Sequence, residues 1–155
     1  MKKFILLLLL SIAVITGQLS ADTPSPRTDG VQSGRIRIRV FDLRNHDGDI
    51  GIALFSEKKG FPGKSDRAFM KGGISSEGET HVYVFENIPY GTYAVSIMHD
   101  ENRNGKLDSN FIGIPKEGVG ASNNPRSRFG PPSFEDSSFQ LDRSEVDLEV
   151  HIRYL

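Results

Sequence analysis

One segment, residues 99–108, carries the side chains best suited to chemistry. Asp100, Asn102 and Asn104 occupy alternate positions, and Gly105 follows them. Ca²⁺ binds six to eight oxygen atoms, which proteins supply as carboxylates, amide carbonyls and backbone carbonyls. Alternate residues on a tightly curled loop direct such oxygens to one centre, and glycine permits the sharp turn. The spacing therefore predicts a calcium site with the ligands Asp100, Asn102, Asn104, the Lys106 carbonyl and Asp108.

The segment departs from the helix-flanked calcium loop of the EF-hand. The twelfth position of that loop is a bidentate glutamate, and here it is Phe111. A further oxygen must therefore come from Glu101, from Asp108 binding through both oxygens, or from Glu117. With few carboxylates, the expected dissociation constant is on the order of 10⁻⁴–10⁻³ M, as in extracellular modules. The alternative interpretation is a metal-free loop shaped by side-chain turns of Asp and Asn.

Signatures of catalysis are weaker than this motif. The chain has no Cys, which excludes thiol catalysis and thiolate zinc sites. It also has neither a Gly-x-Ser-x-Gly nor a His-Glu-x-x-His sequence. Its histidines lack metal-ligand spacing and are expected on the surface, although His99 is also placed to bond a loop carbonyl. The enzymatic alternative is a hydrolase that uses loop carboxylates and His99.

Two further polar groups are open to a binding or a structural interpretation. Residues 122–124 (Ser-Asn-Asn) with residues 126–129 (Arg-Ser-Arg-Phe) have the chemistry to bind a sugar or a carboxylate. A loop pinned by its own hydrogen bonds is favoured for them. The alternating arginines at positions 35, 37 and 39 predict a solvated strand face rather than an anion site.

The N-terminus has the pattern of an export signal. Lys2 and Lys3 precede an apolar run that begins at Phe4, and a short polar stretch leads to Ala21. Because the apolar run is short, we expect a signal peptide over 1–21, a flexible lead-in over 22–34 and one domain over 35–155. The mature protein is then periplasmic or secreted and has no membrane span. Its slightly acidic charge argues against nucleic-acid binding.

Alternation of apolar and polar residues predicts short strands, clearest over 35–40, 50–55, 81–85, 92–99 and 146–154 and weaker over 139–141. Asp47-Gly48 lies between the first two strands and predicts a hairpin. Residues 57–78 and 100–138 are expected to be loops, the second with a helical turn capped by Ser133. The sequence therefore predicts an all-β fold, an antiparallel β-sandwich of about seven strands.

Several motifs follow one another in the second half of the chain, at residues 84–95, 99–108, 113–118, 122–124 and 129–134. This ordered series resembles a family of exported bacterial proteins that is classed as a domain of unknown function, and the resemblance covers about 35–154. The portion Ile88-Pro89-x-Gly91-x-Tyr93-x-Val95 is also similar to transthyretin-like and carboxypeptidase-regulatory-like sandwiches. Both similarities imply the fold, and neither implies an activity.

These observations favour a non-catalytic binding or accessory protein that is stabilised by one Ca²⁺. Its long loop is expected to contact a glycan or an envelope protein. The alternatives are the hydrolase described above and a purely structural envelope protein. An exposed aromatic strip near Phe129 would favour glycan binding, and a cleft that contains His99 beside two carboxylates would favour hydrolysis.

Overall fold

Eight strands, one short α-helix and one turn of 3-10 helix (Ser65–Arg67) are the regular elements in the described part of the chain. The computed structural model describes residues 32–126 and 130–155, so the predicted signal peptide, most of the predicted lead-in and Phe129 lie outside it. The strands are β1 (Ser33–Phe41), β2 (Asp49–Phe55), β3 (Met70–Ser75), β4 (His81–Pro89), β5 (Gly91–Asp100), β6 (Gly118–Ala121), β7 (Ser138–Leu141) and β8 (Glu145–His151). The helix is α1 (Phe134–Ser137).

The strands form two sheets that face each other across one core. The first sheet has the order β4-β1-β8, and the second has the order β3-β2-β5-β6, with β7 also paired to β5. Side chains of a strand alternate between the two faces of its sheet, and the apolar face of each sheet is turned to the other. The core contains Ile36, Ile38, Val40, Ile50, Ile52, Leu54, Phe85, Tyr93, Val95, Ile97, Leu148 and Val150. The predicted β-sandwich is confirmed.

The predicted hairpin between the first two strands is wrong. β1 pairs with β4 and β8, whereas β2 pairs with β3 and β5 in the other sheet. The segment between β1 and β2 therefore crosses from one sheet to the other. Two strands that each have one apolar face can be neighbours in one sheet or can pack against each other from two opposite sheets. The alternation of apolar and polar residues is the same in both arrangements.

Two predicted loops contain further strands. β3 lies within residues 57–78, where Gly72 and Gly73 conceal the strand pattern, and β6 lies within residues 100–138. The helical turn is confirmed, because Ser133 caps α1 by accepting a hydrogen bond from the Asp136 N–H. No helix within the described ranges has the length and apolar character needed to cross a bilayer.

The arginine stripe of β1 is neutralised by the neighbouring strand. β8 runs parallel to β1, and this pair departs from the otherwise antiparallel pattern. The register places Arg35, Arg37 and Arg39 beside Glu145, Asp147 and Glu149. Arg37 lies 2.8 Å from Glu145 and Arg39 lies 3.0 Å from Glu149. The stripe is thus a solvated strand face, as predicted, and its charge specifies the register of a parallel pair.

Substitution of Gly120 tests how closely β6 packs on the chain's last strand. A Cβ at Gly120 would lie 2.8 Å from Val150 Cγ1 and 3.0 Å from Ile152 Cδ1, and both side chains are buried. We expect Gly120→Ala to lower the free energy of unfolding by about 1–3 kcal/mol, because the crowded core has no room to relax. Equilibrium urea unfolding measures this change.

Gly63→Ala is the matched control for that substitution. A Cβ at Gly63 would meet no atom of the described chain within 4 Å. We expect a change within about 0.5 kcal/mol. Equal effects of the two substitutions would contradict the close packing of β6.

Candidate calcium loop and its anchors

The candidate calcium loop, residues 100–108, begins at the last residue of β5. Asp100 pairs with Asp49 of β2 and is only 5% exposed. Its carboxylate accepts hydrogen bonds from the Asn104 N–H at 3.0 Å and the Gly105 N–H at 2.7 Å. The φ of Gly105 is +73°, so the sharp turn predicted at this position is present. The strand end therefore holds one carboxylate at the centre of the curled backbone.

The two asparagines of the loop repeat this arrangement. Asn102 Oδ1 accepts the Asn104 N–H at 3.0 Å, and Asn104 Oδ1 accepts the Lys106 N–H at 2.7 Å. The Lys106 side chain is exposed. These are the side-chain turns of the metal-free interpretation, and they also aim successive side-chain oxygens into the loop.

Asp108 closes the loop. One of its carboxylate oxygens accepts the Asn102 amide at 2.7 Å and the Asn104 amide at 3.2 Å. The side chains of Asn102, Asn104 and Asp108 therefore meet at one point, and the Asp100 carboxylate is bonded to the backbone of the same turn. The structure brings the predicted side-chain ligands together.

Glu117 enters the loop from outside the motif. Its side chain is almost fully buried, at 4% exposure. Its Oε1 accepts the Glu101 N–H at 3.1 Å, and its Oε2 accepts the Asp108 N–H at 2.9 Å. One carboxylate thus bonds both ends of the candidate loop. Of the three sources considered for a further oxygen, Glu101 is bonded to Arg44, whereas Asp108 and Glu117 have no side-chain cation bonded to them in the described chain. Glu117 is the buried carboxylate that comes from outside the motif.

Carboxylates and histidines alone do not form a metal site. Within residues 32–126 and 130–155, no three side chains among His, Cys, Asp and Glu are placed so that they could hold an ion together. A cation in this loop must therefore also use amide and backbone oxygens. The predicted ligand set contains both kinds of oxygen, which suit Ca²⁺ better than a transition metal.

Arg44 anchors the loop to the segment between β1 and β2. Its guanidinium binds both oxygens of Glu101, with a distance of 2.9 Å from Nε to Oε1, and also donates to the Lys116 carbonyl at 3.3 Å. The same group lies 4.4 Å from the centre of the Tyr154 ring. This fork geometry is strong and directional. The bonded guanidinium lowers the pKa of Glu101, and Glu101 in turn raises the pKa of Arg44.

His99 is a buried connector. Its Nε2 lies 2.7 Å from the Asp47 carbonyl and its Nδ1 lies 2.7 Å from the Tyr154 hydroxyl. The Tyr154 oxygen also accepts the Arg44 N–H at 3.1 Å, and burial is the main cause of its raised pKa. A neutral imidazole that donates from Nε2 and accepts at Nδ1 satisfies every one of these groups. The predicted bond to a loop carbonyl is confirmed.

The expectation of surface histidines is wrong for two of the four. His99 is fully buried, and His81 is 6% exposed. His81 Nε2 and His46 Nδ1 lie 2.9 and 3.2 Å from the same acceptor, the Ser76 carbonyl. Strand alternation identifies which face of a sheet a residue occupies. It does not show whether a buried carbonyl on that face can accept a hydrogen bond from the imidazole.

The Ser-Asn-Asn motif holds strands together, as the favoured structural interpretation predicted. Ser122 Oγ accepts the Val95 N–H at 2.9 Å, and the Asn123 amide donates to the Ser138 carbonyl at 2.7 Å. Asn124 donates to the Glu149 carbonyl and accepts the His151 N–H, both at 2.8 Å. Asn124 therefore pairs with the free edge of β8 in the way a strand residue would.

The chain belongs to a bacterial family. The family model described as "Uncharacterized protein conserved in bacteria (DUF2141)" matches residues 38–149, which is most of the sandwich. This finding confirms the resemblance drawn from the ordered motifs. No curated protein matches the chain.

A solved structure gives a more distant comparison. It is a fimbrial assembly protein from Parabacteroides distasonis ATCC 8503, with 8% sequence identity and a TM-score of 0.42. The alignment covers 80% of this chain and 54% of the fimbrial protein, so this chain spans about half the length of that protein.

The Arg44–Glu101 pair predicts a pH-dependent stability. The folded-state pKa of Glu101 lies below its usual value of 4.5, so the ionised form is the one that stabilises the fold. Its contribution is complete above pH 4.5 and is lost as the pH falls through the lowered pKa. We expect Glu101→Gln to lower the melting temperature at pH 7, and we expect this deficit to shrink as the pH falls through the lowered pKa of Glu101. Thermal melts from pH 7 to pH 3 measure this.

Glu86→Gln is the control for that titration, because Glu86 is an exposed carboxylate on β4. Its melting temperature should follow that of the wild type throughout. A Glu101→Gln deficit that persists unchanged at pH 3 would show that ionisation of Glu101 is not what stabilises the fold.

Proposed function

We propose that the domain is an exported, non-catalytic binding module whose candidate calcium loop binds one Ca²⁺. The observation that carries the proposal is the position of Glu117. The motif lacks the last carboxylate of a calcium loop, and a buried carboxylate from nine residues beyond Asp108 reaches both ends of that loop. Glu117 therefore adds a carboxylate to the oxygen atoms that the motif itself provides.

Charge in the loop also favours a cation. Asp100, Asp108 and Glu117 each accept N–H groups of the loop, and none of the three forms a salt bridge with a side chain of the described residues. Backbone and amide N–H groups stabilise these carboxylates only in part, because a buried charge is costly without a counter-charge. A divalent cation bound among them would lower that cost.

The amides are suited to share the ion. The oxygens of Asn102 and Asn104 each accept one backbone N–H, which leaves a second lone pair on each oxygen. The proposed ligands are therefore the original five with Glu117 added. Few carboxylates and an exposed outer side predict the weak affinity of an extracellular calcium module.

A binding role fits the site better than hydrolysis. Both nitrogens of His99 are occupied, by a backbone carbonyl and by a tyrosine hydroxyl, and the ring is fully buried. His99 thus lacks the access that a general base needs to a substrate or water. We propose that the long segment after β5 contacts a glycan or a protein of the cell envelope, with Ca²⁺ as the ion that orders it.

Thermal melts in calcium and in EGTA test the metal. With a dissociation constant of 10⁻⁴–10⁻³ M, 10 mM CaCl₂ should stabilise the fold by about 1.4–2.7 kcal/mol, since only the folded state binds. This corresponds to a rise in melting temperature of roughly 3–10 °C. Asp100→Asn and Asp108→Asn should each abolish most of the rise, because each removes one carboxylate charge from the loop.

Asp142→Asn is the control for those melts, since Asp142 is an exposed carboxylate in the turn before β8. It should retain the full calcium response. Absence of a response in the wild type at 10 mM CaCl₂ would refute the calcium site and leave the loop as a scaffold of side-chain turns.

The role of Glu117 has its own measurement. Isothermal titration of CaCl₂ into Glu117→Gln should show an affinity about tenfold or more below that of the wild type, because a carboxylate is replaced by a neutral amide. Unchanged affinity would place the missing ligand elsewhere and remove the observation on which the proposal rests.

Export is tested by the mass of the protein recovered from expressing bacteria. We expect the periplasmic or secreted form to lack residues 1–21, with Asp22 as its first residue. A protein that is recovered intact from the cytoplasm would contradict export.

A further inference from the structure

Apolar side chains are concentrated at the tip of one protruding loop, residues 107–114. Phe111 is 98% exposed and Ile112 is 64% exposed, and Leu107 and Ile114 are also exposed. Of the nine large apolar side chains that are exposed in the described chain, these four belong to this single short segment. Isolated exposed apolar residues are ordinary, but a cluster that includes a fully exposed phenylalanine marks a contact surface.

The tip is a built structure. The Asn110 N–H donates to the Ile114 carbonyl at 2.8 Å, and Lys116 N–H donates to the Asp108 carbonyl at 2.8 Å, so the segment is a miniature hairpin. Asn110 Oδ1 accepts the N–H groups of Ile112 and Ile114 at 3.0 and 2.9 Å. Asn110 thus holds the turn, at which Phe111 and Ile112 are the most exposed apolar side chains.

The backbone of the tip is also prepared for an apolar environment. The N–H groups of Ile112, Gly113 and Ile114 all bond to oxygens of Asn110. An unpaired N–H costs several kcal/mol in hydrocarbon, whereas in water it would cost little. Internal pairing of these three N–H groups lowers the cost of moving this part of the tip into an apolar environment.

Two exposed lysines flank the tip. Lys106 precedes Leu107, and Lys116 follows Pro115 at the base of the hairpin. Carboxylates near them are directed inward, since Glu117 is buried and Asp108 is bonded to the loop amides. Apolar side chains with basic residues beside them match the layering of a bilayer surface, in which anionic headgroups surround an apolar interior.

We propose that residues 107–114 are a peripheral membrane anchor that inserts Phe111 and Ile112 into the surface of a bilayer containing anionic phospholipid. The tip is convex and presents few side chains, whereas a specific protein interface needs about 800 Å² from each partner. A deformable lipid surface accepts such a wedge. Lys106 and Lys116 then contact the phosphate headgroups, and the sandwich stays in water.

A tryptophan reporter tests insertion directly. The chain contains no Trp, so Phe111→Trp in the exported protein gives a single emitter at the tip. With vesicles of phosphatidylcholine and phosphatidylglycerol, we expect its emission to move to shorter wavelength and to be quenched by brominated acyl chains. Phe69→Trp is the control, because Phe69 is exposed and contacts Tyr93, near the start of β5 and at the other end of that strand from Asp100, and its emission should not change.

Vesicle flotation measures the binding itself. The double variant Phe111→Ser with Ile112→Ser should lower partitioning by about tenfold or more, since two apolar side chains are lost from the contact. Met70→Ser, an exposed position on β3 that pairs with Leu54, should bind as the wild type does. Melts of all variants should coincide because the changed side chains are exposed. Lys106→Glu with Lys116→Glu should abolish the preference for phosphatidylglycerol.

The outcomes separate this proposal from the calcium proposal. Flotation in EGTA and in CaCl₂ shows whether the tip binds with or without the ion, and the melts above test the ion by itself. Vesicle binding that depends on Phe111 in either condition supports the anchor. Failure of the wild type to float in both conditions overturns it, as does binding that the double serine variant retains in full, which would place the contact elsewhere.

Discussion

Backbone N–H groups need hydrogen-bond acceptors, and this need determines the structure of the loop that follows β5. The chain curls there too tightly to form a ladder, so its N–H groups have no strand to bond. Two buried carboxylates take the place of that strand: Asp100 accepts from Asn104 and Gly105, and Glu117 accepts from Glu101 and Asp108. Because a buried acceptor of this kind cannot be replaced by water, the position of every side chain in the loop depends on these two residues.

The rest of the fold holds that end in place through a small number of polar contacts. Gly48 carries φ +76° where a Cβ would collide with the Asp100 backbone, so the crossing from β1 to β2 can run directly against β5. His99 bonds to the Asp47 carbonyl in the same crossing, and Arg44 of the crossing binds the Glu101 carboxylate of the loop. The crossing, Glu117 and Tyr154 are far apart in sequence, and together they hold the loop and its anchors in place without a disulfide.

Much of the fold and of the candidate calcium loop could be predicted from the sequence. Most of what could not be predicted depends on contacts between residues that are far apart in the chain. Period-two alternation identified six of the eight strands and their buried faces, and the spacing of Asp100, Asn102 and Asn104 identified the curled loop, since both are local patterns. Pairing is a property of the whole chain. Alternation could not show that β1 and β2 lie in different sheets, that β8 runs parallel to β1, or that Glu117 rather than Glu101 enters the loop, because an arginine at position 44 binds Glu101.

The parallel pair of β1 and β8 has a consequence for how the chain folds. β1 lies in the middle of its sheet, yet one of its two neighbours is the last strand of the domain. During synthesis, one edge of β1 stays unpaired until almost the whole domain has emerged. Such long-range pairing is slow and leaves an edge on which other chains can add. The three arginines of β1 keep the strand beside that edge charged until β8 is available, and the three acidic residues of β8 then complement them in register.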